Sequence, residues 1–297
     1  MINLDALAQI AVSGVLVGAL YGLAALGLSL IFGVLKILNV AHGELIMLGG
    51  YVSFWAFSLS KIDPFVSLLL VIPVMFLIGL LLHLGLFRHI VRAGEEQRIK
   101  NSLLIGFGLT LVLHNLAIFW WSADERAITT AYSLNTITLA SIRFPLARVA
   151  GFVISFLCAF GMEWFLERTD FGKSIRATAE DWRNAALTGI NIQRVYLWTA
   201  GIGSALAGVA GMLVSLGYSV SPSIGLAWTL KALIVVVLAG LGSMRGTFFA
   251  GILLGVAESV GTYIIPNGGQ YREAIGIALF LIVLSLRPQG LFGAKLG

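Results

Sequence analysis

A single cysteine, Cys158, sits inside an apolar run of this 297-residue chain, so no disulfide framework or thiolate metal cluster can form within it. Charge is nearly as scarce. Asp, Glu, Lys and Arg make up 11% of the residues, less than half the share of about 25% typical of soluble domains. The four histidines, His42, His83, His89 and His114, have no metal-ligand spacing, and no Ser/His/Asp set or paired-cysteine motif accompanies them. Gly172-Lys173-Ser174 ends like a Walker A loop, but Glu167 stands where the earlier glycine is required. A transmembrane run, not a strand, precedes it. The chain is therefore expected to hold no metal, to bind no cofactor and to be no enzyme. The opening residues MINLDALAQIAV carry Asp5 where a signal peptide carries Lys or Arg, and no small-residue cleavage site follows, so the first hydrophobic run reads as a retained span.

Apolar residues are what the chain has in excess. They form 59% of it, more than one water-facing globule can hide, so lipid has to cover them. The net charge of +5 is no nucleic-acid signature, because the basic residues fall in short joints between apolar runs. Crossing about 30 Å of hydrocarbon takes roughly 20 residues. Candidate spans are Ala6–Leu35, Glu44–Leu59, Pro64–Phe87, Ser102–Trp121, Val149–Leu166, Val195–Gly217, Ile224–Leu241, Thr247–Ile265 and Glu273–Leu286. The first would be about 45 Å long as a helix, so it tilts, begins as an interfacial piece or breaks near Gly22 or Gly27. The fold class is all-α: a polytopic membrane protein of eight or nine transmembrane helices, residues 1–297 forming one domain with an extramembrane segment at 167–194. Putting Arg88–Lys100, Glu167–Arg194, the C-terminal tail, Lys36 and Arg245 on the cytoplasmic side gathers thirteen Lys or Arg there against five outside. The C-terminus is then cytoplasmic. The N-terminus is outside for nine crossings and inside for eight or ten.

Gly14, Gly18 and Gly22 recur every four residues, as do Gly251 and Gly255, and small-residue faces let helix backbones approach closely in lipid. Between Gly33 and Gly49 the sequence GVLKILNVAHGELIMLG sets Lys36, Asn39, His42 and Glu44 between two long apolar runs. Polar groups at membrane depth mark a pathway or a packed polar joint. A second joint, Gly240–Gly246, holds Ser243, and glycine-interrupted segments in both halves of a transporter point to broken helices around a central pathway. An ordinary surface turn accounts equally well for that second joint. His114 with Asn115 reads as a helix–helix contact. Lys231 lies seven residues after Ile224 and Glu258 seven before Ile265. In antiparallel neighbours both would lie about 10 Å below the outer surface, as a buried ion pair would. Snorkelling of Lys231 over a neutral Glu258 is the alternative.

The segment Glu167–Arg194 carries nine charged residues in 28, interleaved with Ala, Leu and Ile, and reads as a short amphipathic helix outside the bilayer. Its residues Ala177, Ala179, Glu180, Asp181, Ala185, Gly189 and Asn191 resemble the A-x-A-E-D-x-x-x-A-x-x-x-G-x-N coupling loop of ABC importers. Gly189 follows Glu180 by nine residues, where the general importer pattern has six. Asn39 to Glu44 resembles the N-x-A-H-G-E segment of the permease subunits of branched-chain amino-acid ABC transporters. VVVLAGLGSMRGTFFAGILLGVAES and the ending LFLIVLSLRPQGLFG are similar to the corresponding stretches of that family.

The resemblance implies one permease subunit of an ATP-driven importer in the bacterial inner membrane, partnered by a second homologous permease. Two cytoplasmic ATPases, which hold the ATP and magnesium, and an external solute-binding protein complete the complex it implies. Asn39, His42, Glu44 and Ser243 are the polar groups expected near the route or its gate. Ala177–Asn191 is expected to carry motion from the ATPases. Branched-chain amino acids are the expected cargo, with urea, short amides or aromatic acids as alternatives inside the family. An ion-coupled secondary transporter using Glu44, Glu258 and His42, and an intramembrane enzyme using His42 with Glu44, are the alternatives outside it.

Overall fold

The computed structural model describes residues 4–293 except 92–93, 131, 133–134, 140–141, 241 and 266–267. Leu241 of the second joint, and Arg92 and Lys295 among the basic residues counted above, lie outside the described residues. The helices are α1 (Leu4–Leu35), α2 (His42–Ser60), α3 (Pro64–Leu82), α4 (Arg88–Ile90), α5 (Glu95–Trp121), α6 (Leu146–Arg168), α7 (Asp170–Glu180), α8 (Trp182–Leu187), α9 (Ile192–Gly217), α10 (Ile224–Ala239), α11 (Met244–Ile264) and α12 (Arg272–Leu286). A π-helical turn, His83–Phe87, joins α3 to α4, so Pro64–Ile90 is one apolar span. Among the described residues seven helical segments are long and apolar enough to cross a membrane, α10 is a shorter apolar helix, and the 19-residue α2 stands outside both groups. The all-helical architecture holds. One small antiparallel hairpin, β1 (Thr136–Leu139) on β2 (Ile142–Pro145), adds strand where none was expected.

α1 is the axis of the molecule. It is a continuous helix of 32 residues, with no break at Gly22 or Gly27, and it is buried from Leu16 to Leu35 except at Phe32. An unbroken helix of that length is tolerated because its neighbours, rather than lipid, cover it. Its glycine face meets that of α11: a Cβ on Gly18 would lie 2.6 Å from Ile252 Cα, and one on Gly22 would lie 3.0 Å from Phe248 Cα. Only glycine permits that approach of two backbones. α9 fills the other side of α1, where Leu206, Ala207, Ala210 and Leu213 join Leu20, Leu23 and Leu30 in the main core. In contrast, α5 exposes Leu104, Leu111, Phe119 and Trp120, a face left for lipid or a partner.

The two ends of the bundle differ. At one end the hairpin sits on the start of α1, where Arg143 N donates to Gln9 Oε1 (2.7 Å) and Gln9 Nε2 donates to Arg143 O (2.9 Å). At the other, Arg245 at the start of α11 pairs with Glu163 and Glu167 at the end of α6, and α7 and α8 follow α6 directly. These will be called the hairpin end and the basic end. The start of α1 and residues 287–293 lie at opposite ends, as an odd number of crossings requires. The tail RPQGLFG closes α10: Leu291 N donates to Leu238 O (2.8 Å) and Phe292 N to Ala239 O (2.9 Å). Those are orphan carbonyls of a helix C-terminus, which would otherwise be unsatisfied.

The α1–α11 contact generates a prediction. Gly18→Ala should destabilise the purified protein by about 1–3 kcal/mol through forced separation of the two helices. Gly108→Ala, on an open face of α5 where a Cβ meets nothing within 4 Å, should leave the melting temperature unchanged or slightly raised. Equal melting temperatures for the two variants would refute the packing argument.

Candidate functional site: a re-entrant turn between two half-helices

The first joint is not a surface turn. α1 ends at Leu35, Lys36 takes a left-handed φ of 55°, and residues 37–41 run back into the bundle with Ile37, Asn39 and Ala41 fully buried. α2 then begins at His42, whose Nε2 lies 2.9 Å from Ala24 O. Ala24 is eleven residues short of the end of α1, so α2 starts about 16 Å inside the basic end. α10 also starts inside the membrane. Its Gly225 lies against the Glu44 carboxylate, and the preceding Pro222 O accepts from His114 Nδ1 (3.0 Å), within the span of α5. Two half-helices therefore meet N-terminus to N-terminus at Gly43 and Gly225. The structural counterpart of the first joint is the segment 218–223 before α10, not Gly240–Gly246. That second joint lies at the basic end, against Gly33 of α1.

Each polar residue of the turn has a definite place. Asn39 Oδ1 accepts from Ala41 N (3.2 Å) and Asn39 O accepts from His42 N (3.2 Å), which folds the chain into the helix start. Leu38 N donates to Ser102 Oγ of α5 (3.1 Å). Thr229 of α10 accepts from Gly43 N (2.9 Å) and donates to Val40 O (3.0 Å), stitching the turn to the opposing half-helix. A carbonyl can only accept, so His42 Nε2 carries the proton and Nδ1 is a bare acceptor. Asn39 Nδ2, His42 Nδ1 and Glu44 Oε2 are buried with no hydrogen-bond partner among the described residues. Each unmade bond costs about 1–3 kcal/mol, so the turn carries one donor and two acceptors that a polar partner would satisfy. The Glu44 carboxylate stands at the first turns of both α2 and α10, where two helix dipoles favour negative charge.

Ser243 does not join this group. Its Oγ caps α11 by accepting from Gly246 N (3.1 Å), at the level of Gly33, about 14 Å nearer the basic end than Ala24. A capping role explains it locally. Lys231 and Glu258 are brought together: Lys231 Nζ contacts Glu258 Oε1, and the other carboxylate oxygen accepts from Arg272 Nε (3.0 Å) and Tyr21 Oη (3.0 Å). Arg272 and Tyr21 could not be read from the depth argument, which compared only two helices. Tyr21 lies one turn of α1 from Ala24, so the ion cluster borders the turn on its hairpin side.

The segment expected to form one coupling helix is two helices. Asp181 breaks it, its carboxylate accepting from Arg183 N (2.8 Å) and Asn184 N (3.2 Å) as the N-cap of α8. Gly189 ends α8 with φ +87°, and Asn191 caps α9 by accepting from Arg194 N (3.0 Å). Ala185 is buried beneath α8, Ala177 and Ala179 are half-buried on α7, and Glu180 is exposed at its end. Trp182, Arg183, Asn184 and Leu187 face outward, with Leu187 86% exposed.

One connection between these sites left no sequence signal. Arg98 of α5, only 4% exposed, has its guanidinium 5.5 Å from the Trp182 ring centre and 6.0 Å from that of Tyr196, and donates to Tyr196 Oη (3.3 Å). Ser102, one turn along α5, holds Leu38 N; Gly106, a further turn on, lies where a Cβ would come within 3.0 Å of Val40 N. The stripe Arg98–Ser102–Gly106 thus touches α8 at one end and the buried turn at the other. A cavity of about 430 Å³, lined by Val34, Lys36, Arg98, Thr178, Asp181 and Trp182, lies between them.

Comparison with known proteins matches residues 10–284 to the family described as the permease component of branched-chain amino acid transport systems. The chain is 32% identical to the high-affinity branched-chain amino acid permease protein BraD of Pseudomonas aeruginosa, over 95% of this chain and 94% of that protein. It is 28% identical to LivH of Escherichia coli over the same shares. It is 26% identical to the ribose import permease protein RbsC of Haemophilus influenzae, over 87% of this chain and 79% of that one. No solved structure matches the chain.

The ion cluster carries its own test. Glu258→Gln leaves two cations without their carboxylate and should destabilise the protein by about 3–5 kcal/mol. Lys231→Met should cost clearly less, because Arg272 still faces Glu258, and the double variant should melt above Glu258→Gln alone. The reverse order of melting temperatures would show that the pair is not a unit.

Proposed function

We propose, from the premise that this chain belongs to the family of branched-chain amino acid transport permeases, that it forms half of the solute pathway of an ATP-driven importer of branched-chain amino acids. A second, homologous permease supplies the other half. Two ATPase subunits carrying ATP and magnesium dock on α7 and α8, and a binding protein delivers solute at the hairpin end. In this reading the basic end is cytoplasmic, because most of the Lys and Arg residues gather there, and the protein resides in the bacterial inner membrane. It catalyses no reaction itself.

The observation that carries the reading is the stripe on α5. An exposed α8, with Leu187 and Trp182 outward, would be of little use to transport if it moved alone. Arg98 ties Trp182 to α5, and Ser102 and Gly106 tie α5 to residues 38–40. Motion imposed on α8 by nucleotide binding then tilts α5 and shifts the turn that holds Asn39, His42 and Glu44. Those groups offer unfilled donors and acceptors to a passing solute, while glycine-packed α1 and α11 provide the fixed wall. Ser243 belongs to the cap of α11, at the inner rim of the route. A turn with a few unsatisfied polar groups lines a route rather than forming a closed pocket, so the binding protein selects the cargo. The ribose permease match covers less of both chains than the branched-chain matches do, which favours amino-acid cargo.

Uptake of Leu, Ile and Val into liposomes by the reconstituted complex, given its binding protein and ATP, tests the cargo; uptake by this chain without ATPases would overturn the mechanism. Gly189→Pro cannot adopt φ +87° and should abolish solute-stimulated ATP hydrolysis while the protein still inserts. Arg98→Gln should lower solute moved per ATP about fivefold, as for the loss of about 1 kcal/mol of cation–π attraction, with Arg98→Lys intermediate. Unchanged stoichiometry in Arg98→Gln would remove α5 from the coupling route.

A further inference from the structure

On the outside of the bundle, α3, α6, α7 and α9 enclose a groove of about 420 Å³ lined by Phe76, Phe165, Phe171, Arg194, Trp198 and Ile202. We infer that this groove holds one anionic phospholipid of the cytoplasmic leaflet, its phosphate on Arg194 and an acyl chain along Trp198, Ile202 and Phe76. The inference uses the proposed orientation of the basic end but neither the cargo nor the coupling route.

Its chemistry changes with depth as that of a phospholipid does. Arg194 is the third residue of α9, at the membrane surface, and Trp198 and Ile202 follow at four-residue steps on the same face, about 6 and 12 Å deeper. The aromatic walls are braced against one another: the Phe76 and Trp198 ring centres lie 5.4 Å apart, Phe171 and Trp198 6.0 Å, and Phe165 and Phe171 6.4 Å. Gly201 lets the Phe76 ring reach α9, since a Cβ there would come within 2.6 Å of it. The groove is thus built by its own side chains rather than left as a gap between bare helices.

Charge says which lipid fits. The Arg194 side chain makes no hydrogen bond or ion pair with another side chain among the described residues, although its backbone N–H is taken by Asn191. Arg194 is the one charged residue lining the groove; Arg88, after the extension of α3, and Arg168, closing α6, stand at the same end of the bundle outside that lining. Guanidinium groups bind phosphate with paired, charge-assisted hydrogen bonds, and basic pockets between helices on the cytoplasmic side favour anionic headgroups. A zwitterionic lipid brings an ammonium group that the Arg194 guanidinium opposes. Because Phe171 belongs to α7, an occupied groove steadies the element that docks the ATPases.

The test uses the intact complex in nanodiscs of phosphatidylcholine with and without phosphatidylglycerol, read by native mass spectrometry after release from the disc. Wild type should retain one phosphatidylglycerol more than a complex carrying Arg194→Gln, whose retention should fall about fivefold, as for one lost headgroup attraction. Trp198→Ala should lose the same lipid, while Arg183→Gln, outside the groove, should keep it. Equal retention in wild type and Arg194→Gln, replacement by phosphatidylcholine at equal occupancy, or displacement by millimolar inorganic phosphate would each overturn the assignment. The lipid count does not depend on transport, so it stands or falls separately from the cargo.

Discussion

Peptide groups that lie outside a helix but inside a membrane have no water to turn to, and residues 37–41, which run from the end of α1 back into the bundle, are such groups. Each unsatisfied group in hydrocarbon costs several kcal/mol, so irregular backbone survives there only where protein supplies the missing partners. Ser102 takes Leu38 N, the Asn39 side chain takes Ala41 N, and Thr229 serves both Gly43 N and Val40 O. These partners come from three directions, so α5 and α10 must stand where they do. The close approach of α2 to α10 follows, with glycine at 43 and 225 because no side chain fits between them. The rest of the bundle is the frame that keeps those partners in place.

That frame is tight around α1 and open around α5. α1 is gripped on nearly every side by α9, α10 and α11, with glycine contacts that allow no slack. α5 touches the bundle along one narrow stripe and exposes the remainder. A helix held by a few polar and aromatic contacts can tilt as a unit, whereas one locked by backbone-to-backbone packing cannot. The division of labour between the two helices therefore rests on side-chain size. The buried charges fit the same pattern: Glu258, with Lys231, Arg272 and Tyr21, ties α10, α11, α12 and α1 together on the hairpin side of the turn, while Arg98 joins α5 to α8 and α9.

Several features were legible in the residues alone, each for a local reason. Hydropathy gives the spans because lipid demands long apolar helices, and the repeats at Gly14, Gly18, Gly22, Gly251 and Gly255 mark a contact face. Lys231 and Glu258 could be matched in depth because both spans are regular and rise by a fixed step per residue. Asp181 could not be recognised as a helix break, since the run from Asp170 to Leu187 is amphipathic on both sides of it and an acidic residue suits a helix start as well as its surface. The second joint at Gly240–Gly246 drew the comparison with the first because glycine interrupts an apolar run at both. The true counterpart, 218–223, shares with the first joint a place in space rather than a composition.

The amino-acid sequence by itself determined that this chain lives in lipid, where its helices run, which faces are small enough to touch and which family it joins. Those properties are set by composition and by periodicity along one chain direction. Only the tertiary structure decided that α2 and α10 start inside the membrane, that Arg98 links α8 to the turn through α5, and that Ser243 stands apart from Asn39, His42 and Glu44. Those relations join residues far apart in the chain, and they depend on which helix supplies a hydrogen bond to an exposed peptide group. No local pattern records that choice, because the requirement is met by any correctly placed polar group, and placement is a property of the assembled bundle.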